Sequence, residues 1–73
     1  MDAAEKGARY AKVFRKAGAL LARGRHALAV TTLEEGRKLA EANGDRAMAR
    51  RFAREIARAQ HPDTPPVSSE DAE

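Results

Sequence analysis

The chain has no cysteine, and its 73 residues include only three aromatic side chains, Tyr10, Phe14 and Phe52. Without thiols it has neither a disulfide framework nor a thiolate metal site to brace a small domain. The two histidines, His26 and His61, lie far apart with no ligand pair beside them, so no metal or other cofactor is expected. No apolar run approaches the roughly 18 residues of a membrane span, and the N-terminus lacks the apolar core of a signal peptide. A cytoplasmic protein with no membrane partner is the resulting expectation. A chain of 73 residues makes one domain at most. At that size only about 60% of the unfolded surface is buried, so stability should be marginal.

What is abundant is alanine, arginine and glutamate, a composition that favours helix over strand. Charge is distributed unevenly. All 14 Lys and Arg fall within residues 1–60 against seven acids, Asp2, Glu5, Glu34, Glu35, Glu41, Asp45 and Glu55, which leaves that part at +7. The remainder carries Asp63, Glu70, Asp71 and Glu73, or −4. A basic body is thus joined to an acidic tail.

Hydrophobic spacing divides the body into three helices. The first is expected over about residues 3–22, with Asp2 as N-cap and Glu5 completing a capping box. Its stripe of Tyr10, Val13, Phe14, Ala17, Leu20 and Leu21 keeps the i, i+3, i+4 rhythm of one helical face. Gly24, between two arginines, suits the left-handed residue that ends a helix. The second helix should span about 26–42 with Ala29, Val30, Leu33, Gly36 and Ala40 inward, Gly36 marking a close helix–helix contact. Asn43-Gly44 ends it, and Asp45 caps a third helix over about 46–60. Met48, Ala49, Phe52, Ala53, Ile56 and Ala59 form the apolar side of that third helix. Loops this short make successive helices antiparallel neighbours, so the expected fold is all-α, a three-helix antiparallel bundle. Residues 61–73 have three prolines and no periodicity and should form a disordered, acidic Pro/Ser tail.

A shift of 36 residues lays the first helix on the third, placing Val13 on Ala49, Lys16 on Phe52, Ala17 on Ala53 and Leu20 on Ile56. Val13, Ala17, Leu20, Gly24, His26, Ala29, Val30, Leu33 and Gly36 follow one another in an order that resembles the tetratricopeptide repeat (TPR). The resemblance covers about residues 10–59, one full repeat and the first helix of a second. Lys16 stands where that family has a large apolar residue, and Gly36 where it has alanine. Small residues at 17 and 29 would let two antiparallel helices approach closely. Another three-helix bundle, of the MIT type, has a similar shape.

The resemblance implies a TPR helical hairpin plus one further helix, with the first helix of each repeat lining a concave groove for a peptide or partner helix. On this chain the groove side of helix one would be Ala11, Phe14, Gly18, Leu21 and Ala22, an apolar or small surface suited to a helix or to self-association as a homodimer. Phe14 could equally complete the core with Met48 and Phe52. His26 occupies a position where the family often has Tyr, which makes it a packing residue.

Chemistry is scarce elsewhere. Arg46, Arg50, Arg51, Arg54 and Arg58 are spaced so that most of them fall on the face of helix three opposite Phe52 and Ile56, a candidate anion-binding stripe. The bland alternative is a solvated face, partly neutralised by Glu55 toward Arg51 and Arg58. Arg9, Lys12, Lys16 and Arg23 extend the positive field on helix one. Thr31 and Thr32 have no acid–base partner, and Glu34 and Glu35 point to different azimuths. His61-Pro62-Asp63 spells the tripeptide of J-domain co-chaperones, which in that family sits between two long packed helices, whereas here it leads into the tail. No set of nucleophile, base and orienting group can be assembled. The expectation is a non-enzymatic protein-interaction module, with a small basic nucleic-acid-binding or regulatory protein as the alternative.

Too little apolar surface is present in residues 61–73 to offset the entropy of ordering them. Deleting them should leave the melting temperature nearly unchanged. A drop of more than about 5 °C, roughly one kcal/mol for a domain this size, would count against this.

Overall fold

The structure, a computed structural model, describes residues 2–61; the tail expected to be disordered, Pro62 and Asp63 included, falls outside the described residues apart from His61. Three helices make up the fold: α1 (Ala3–Ala22), α2 (His26–Ala42) and α3 (Arg46–Gln60). Among the described residues none of them is long and apolar enough to cross a membrane.

Backbone chemistry at the helix ends explains these limits. At the start of α1 the Asp2 carboxylate accepts from the Glu5 N–H at 2.8 Å, and the Glu5 carboxylate accepts from the Asp2 N–H at 3.3 Å. This reciprocal box satisfies two donors that the first helical turn leaves without partners. At α3 the Asp45 carboxylate caps a single donor, accepting from the Met48 N–H at 3.2 Å. The start of α2, at Arg25, has no side-chain cap.

Both turns are built alike. Gly24 and Gly44 adopt φ of 76° and 70°. In the first turn the N–H of Arg25 donates to the Leu20 carbonyl at 2.8 Å and that of Gly24 to Leu21 at 2.9 Å. In the second, Asp45 donates to Ala40 at 2.8 Å and Gly44 to Glu41 at 3.0 Å. This is the Schellman arrangement, and its left-handed residue suits glycine because a Cβ would be strained there.

The two turns fold α1 and α3 back against α2, which lies between them. Tyr10 and Ala17 of α1, Ala29, Leu33 and Ala40 of α2, and Phe52, Ile56 and Ala59 of α3 form the buried core. Val13, Phe14, Leu20, Leu21, Val30, Leu39, Met48 and Ala49 pack on its edges. Asn43, at the end of α2, donates through Nδ2 to the Tyr10 hydroxyl at 3.3 Å, tying the last turn of α2 to the first half of α1 as antiparallel packing requires. Thr32 is buried without a partner helix for its hydroxyl and donates instead to the Leu28 carbonyl one turn back, at 2.9 Å.

Ala53 corrects the sequence expectation. It is exposed, because the face of α3 against α2 runs through Ala49, Phe52, Ile56 and Ala59 and stops short of it.

Gly36 is the tightest point. A Cβ there would lie 2.5 Å from Phe52 Cε1, 2.6 Å from Phe52 Cζ and 2.9 Å from Val13 Cγ1. Side chains from both flanking helices therefore converge on one bare stretch of α2 backbone. Overpacking a core of this kind costs about 1–3 kcal/mol, so Gly36→Ala should lower the melting temperature by several degrees. Gly18→Ala is the control, since its Cβ would meet nothing within 4 Å. There the better helix propensity of alanine should add about 0.5–1 kcal/mol. Thermal denaturation of both variants checks this, and equal shifts of the same sign would refute it.

Candidate functional site

Gly7, Ala11 and Arg15 stand four residues apart on α1 and so share one row of the helix surface. The first two have little or no side chain, and Tyr10 and Phe14 flank the row. Met48 and Arg51 of α3 face it across the gap, so that these seven residues line an open groove of about 460 Å³ between the two helices. The space exists because α2 holds α1 and α3 apart along their lengths while small residues leave the α1 wall low.

Aromatic packing forms the floor. The Phe14 ring stacks on Phe52 with centroids 4.4 Å apart and planes 5° from parallel. Tyr10 meets the same Phe52 edge-on at 5.9 Å and 66°. The Arg51 guanidinium carbon lies 4.6 Å from the Phe14 centroid, a cation–π contact that draws one cation of α3 onto an aromatic of α1.

Of the five residues expected to form a partner surface, Ala11 and Phe14 line the groove. Gly18 and Ala22 are exposed on α1 but lie outside it, and Leu21 is half-buried against the core. The groove thus sits nearer the N-terminus than helix-one spacing alone suggested, because its opposite wall is made by Met48 and Arg51. Its lip also differs from an apolar or small surface, since Arg15 and Arg51 are both exposed along it. Phe14 serves the core and the groove at once. Arg15, Met48, Tyr10 and Gly7 were missed. The i, i+4 row through Ala11 points to Gly7 and Arg15, whereas nothing local to the sequence pairs Met48 with Tyr10.

Arg46, Arg50, Arg54 and Arg58 are exposed in one stripe four residues apart, on the side of α3 away from the core. Arg51 is separated from them by its place over Phe14. Glu55 pairs with Arg58 at 3.8 Å, with the two side chains 35% and 67% exposed. A pair this open contributes about 0–1 kcal/mol. The expected partnership of Glu55 with Arg51 is absent from the ion pairs of the described residues. His26 is half-buried with its Nδ1 enclosed and without a hydrogen-bond partner, and His61 is exposed at the end of α3. Among the described residues no three His, Cys, Asp or Glu side chains gather as a metal site would need.

Comparisons with protein-family models, curated proteins and solved structures each return no match.

Because Phe14 is stacked on Phe52 but only half-buried, Phe14→Ala should cost about 2–3 kcal/mol, at or just below the bottom of the roughly 3–5 kcal/mol for a fully buried aromatic. Phe14→Leu, closer in volume, should cost less than about 1.5 kcal/mol. Urea denaturation midpoints measure both. A Phe14→Ala midpoint equal to that of the parent chain would make the ring free surface.

Proposed function

We propose that the chain is a non-enzymatic protein-interaction module similar to one and a half tetratricopeptide repeats, with the α1–α3 groove holding a partner helix or peptide, or a second copy of the chain. The observation that carries this reading is the open groove itself, which has an aromatic and thioether floor and small residues along one wall. Concave surfaces with apolar lining and a few placed polar groups are where proteins hold their ligands.

Burial supports the repeat-like part of the reading. In a stacked array each first helix has a neighbour before it and another after it. Among the described residues no helix lies before α1, and Lys16, the counterpart of Phe52, is exposed where Phe52 is 0% exposed against α2. No helix follows α3 among the described residues, and Ala53, the counterpart of Ala17, is exposed where Ala17 is 2% exposed. Both departures from the 36-residue equivalence fall on faces for which the described residues supply no neighbouring helix.

The reading is tested by titrating isotope-labelled protein with an uncharged amphipathic helical peptide about four turns long, some 22 Å at 1.5 Å per residue. Amide shifts should concentrate at Gly7, Ala11, Phe14 and Met48 and spare Lys12 and Lys16. Shifts scattered over the surface, or none in a chain that light scattering finds monomeric at millimolar concentration, would refute it.

The exposed stripe of Arg46, Arg50, Arg54 and Arg58 supports a second reading, polyanion binding. It requires affinity for nonspecific DNA that falls linearly with log salt, at a slope of about −0.9 per phosphate contacted. A flat salt dependence leaves only the first.

A further inference from the structure

The groove is polar in one sense only. Arg15 and Arg51 stand at its lip, and no carboxylate lines it. The acids of the described residues are engaged or placed elsewhere: Asp2 and Glu5 in the α1 cap, Asp45 in the α3 cap, Glu55 beside Arg58, Glu41 beside Arg37, and Glu34 and Glu35 on α2 outside the groove. A symmetric pair of grooves would bring the two arginines of one copy against those of the other, and like charges brought together oppose association. The groove therefore calls for an acidic occupant that also has something apolar to lay on Met48 and beside the rim of Phe14, whose faces are taken by Phe52 and Arg51.

The chain contains such a segment. Beyond His61 it reads Pro-Asp-Thr-Pro-Pro-Val-Ser-Ser-Glu-Asp-Ala-Glu, which combines prolines and a valine with four carboxylates. Proline-rich segments dock in aromatic-lined grooves because little conformational entropy is lost when they do so. The length also fits. At 1.5 Å per residue α3 covers about 15 Å between Arg51 and His61. An extended chain covers up to about 3.3 Å per residue, so Val67 can reach about 20 Å from His61 and Glu70 about 30 Å. The arginine stripe on the far side of α3 is nearer, but it offers only exposed charges, each pair of which contributes little. The groove adds apolar surface to the same charge.

We propose that the acidic, proline-containing segment 62–73 is the tethered occupant of the α1–α3 groove, so that an outside partner must displace it. The proposal rests on the groove being a docking surface, as read above. Tethering replaces a bimolecular encounter with an effective concentration, so a weak contact suffices for occupancy. Such a contact adds little to stability and agrees with a melting temperature that hardly changes when the segment is removed.

The absence of cysteine supplies the experiment, because Ala72→Cys creates a single site for a nitroxide spin label in the full chain. The label should reduce the amide signals of Gly7 and Ala11 more than those of Gly24 and Leu28, which lie at the opposite end of the bundle. The effect should fade as salt shortens the screening length from about 10 Å at 0.1 M to about 3 Å at 1 M. Arg15→Glu combined with Arg51→Glu should abolish it, with circular dichroism confirming that the variant is folded. Adding Glu70→Lys, Asp71→Lys and Glu73→Lys to that variant should restore it. Equal broadening at both ends of the bundle, stronger broadening at Arg54 than at Ala11, or none anywhere, overturns the proposal. Broadening that arises only between labelled and unlabelled copies in a mixture also overturns it and makes the occupant a second chain. The peptide titration described above is independent, so an untouched groove that still binds the peptide defeats the segment alone.

Discussion

Everything in this fold depends on the approach of Phe52 to Gly36. The phenylalanine is the largest of the almost completely enclosed side chains among the described residues, and it lies where the glycine has no Cβ. From that position it meets Phe14 face to face and Tyr10 edge-on, so one ring of α3 touches the backbone of α2 and two aromatics of α1. A chain this small has few other ways to bind three helices together. The contact uses dispersion and burial, which need no partner charge and lose little to water. It also decides where the groove lies, because stacking on Phe52 draws Phe14 to the floor between α1 and α3.

Much of the fold was legible because helix ends are written in local chemistry. Asp2 with Glu5, Gly24, Asn43-Gly44 and Asp45 each satisfy or terminate a particular set of backbone groups, and each does so here. The inward stripe of α2 was also readable, including the reason for a glycine at 36. Contacts between distant residues were harder to read. Asn43 was understood as a helix-ending residue, yet its amide reaches Tyr10, 33 positions away. Arg51 was grouped with the solvated arginines, since nothing nearby in sequence places Phe14 beneath it. The candidate site was half legible for the same reason. Its α1 wall follows from helical spacing through Ala11, but the α3 wall depends on which turn of one helix meets which turn of the other, and only tertiary packing sets that.

Burial also gives the charges of the surface a simple status. The ion pairs Arg37–Glu41, at 4.0 Å, and Arg58–Glu55, at 3.8 Å, are both intrahelical and open to water. Neither joins one helix to another. Helix association rests on the apolar core and the caps, so the positive field plays little part in folding and is available for recognition. Arg51 is the exception, because its cation also covers an aromatic ring of another helix.

The two matching turns have a further consequence. A chain that makes the same left-handed glycine turn twice applies one geometric operation twice, and nothing in that operation limits the number of steps. The far end of α3 is built differently from those of α1 and α2. The end of α3 has no glycine turn; the N–H of His61 donates back to Ala57 and Arg58 at 3.1 and 3.2 Å. The outer side of α3 offers Ala53 and four arginines where another helix would need an apolar seam. Stacked proteins require a terminal unit with a polar outer face to remain soluble. A further helix could pack on that side of α3 only by burying its four arginines.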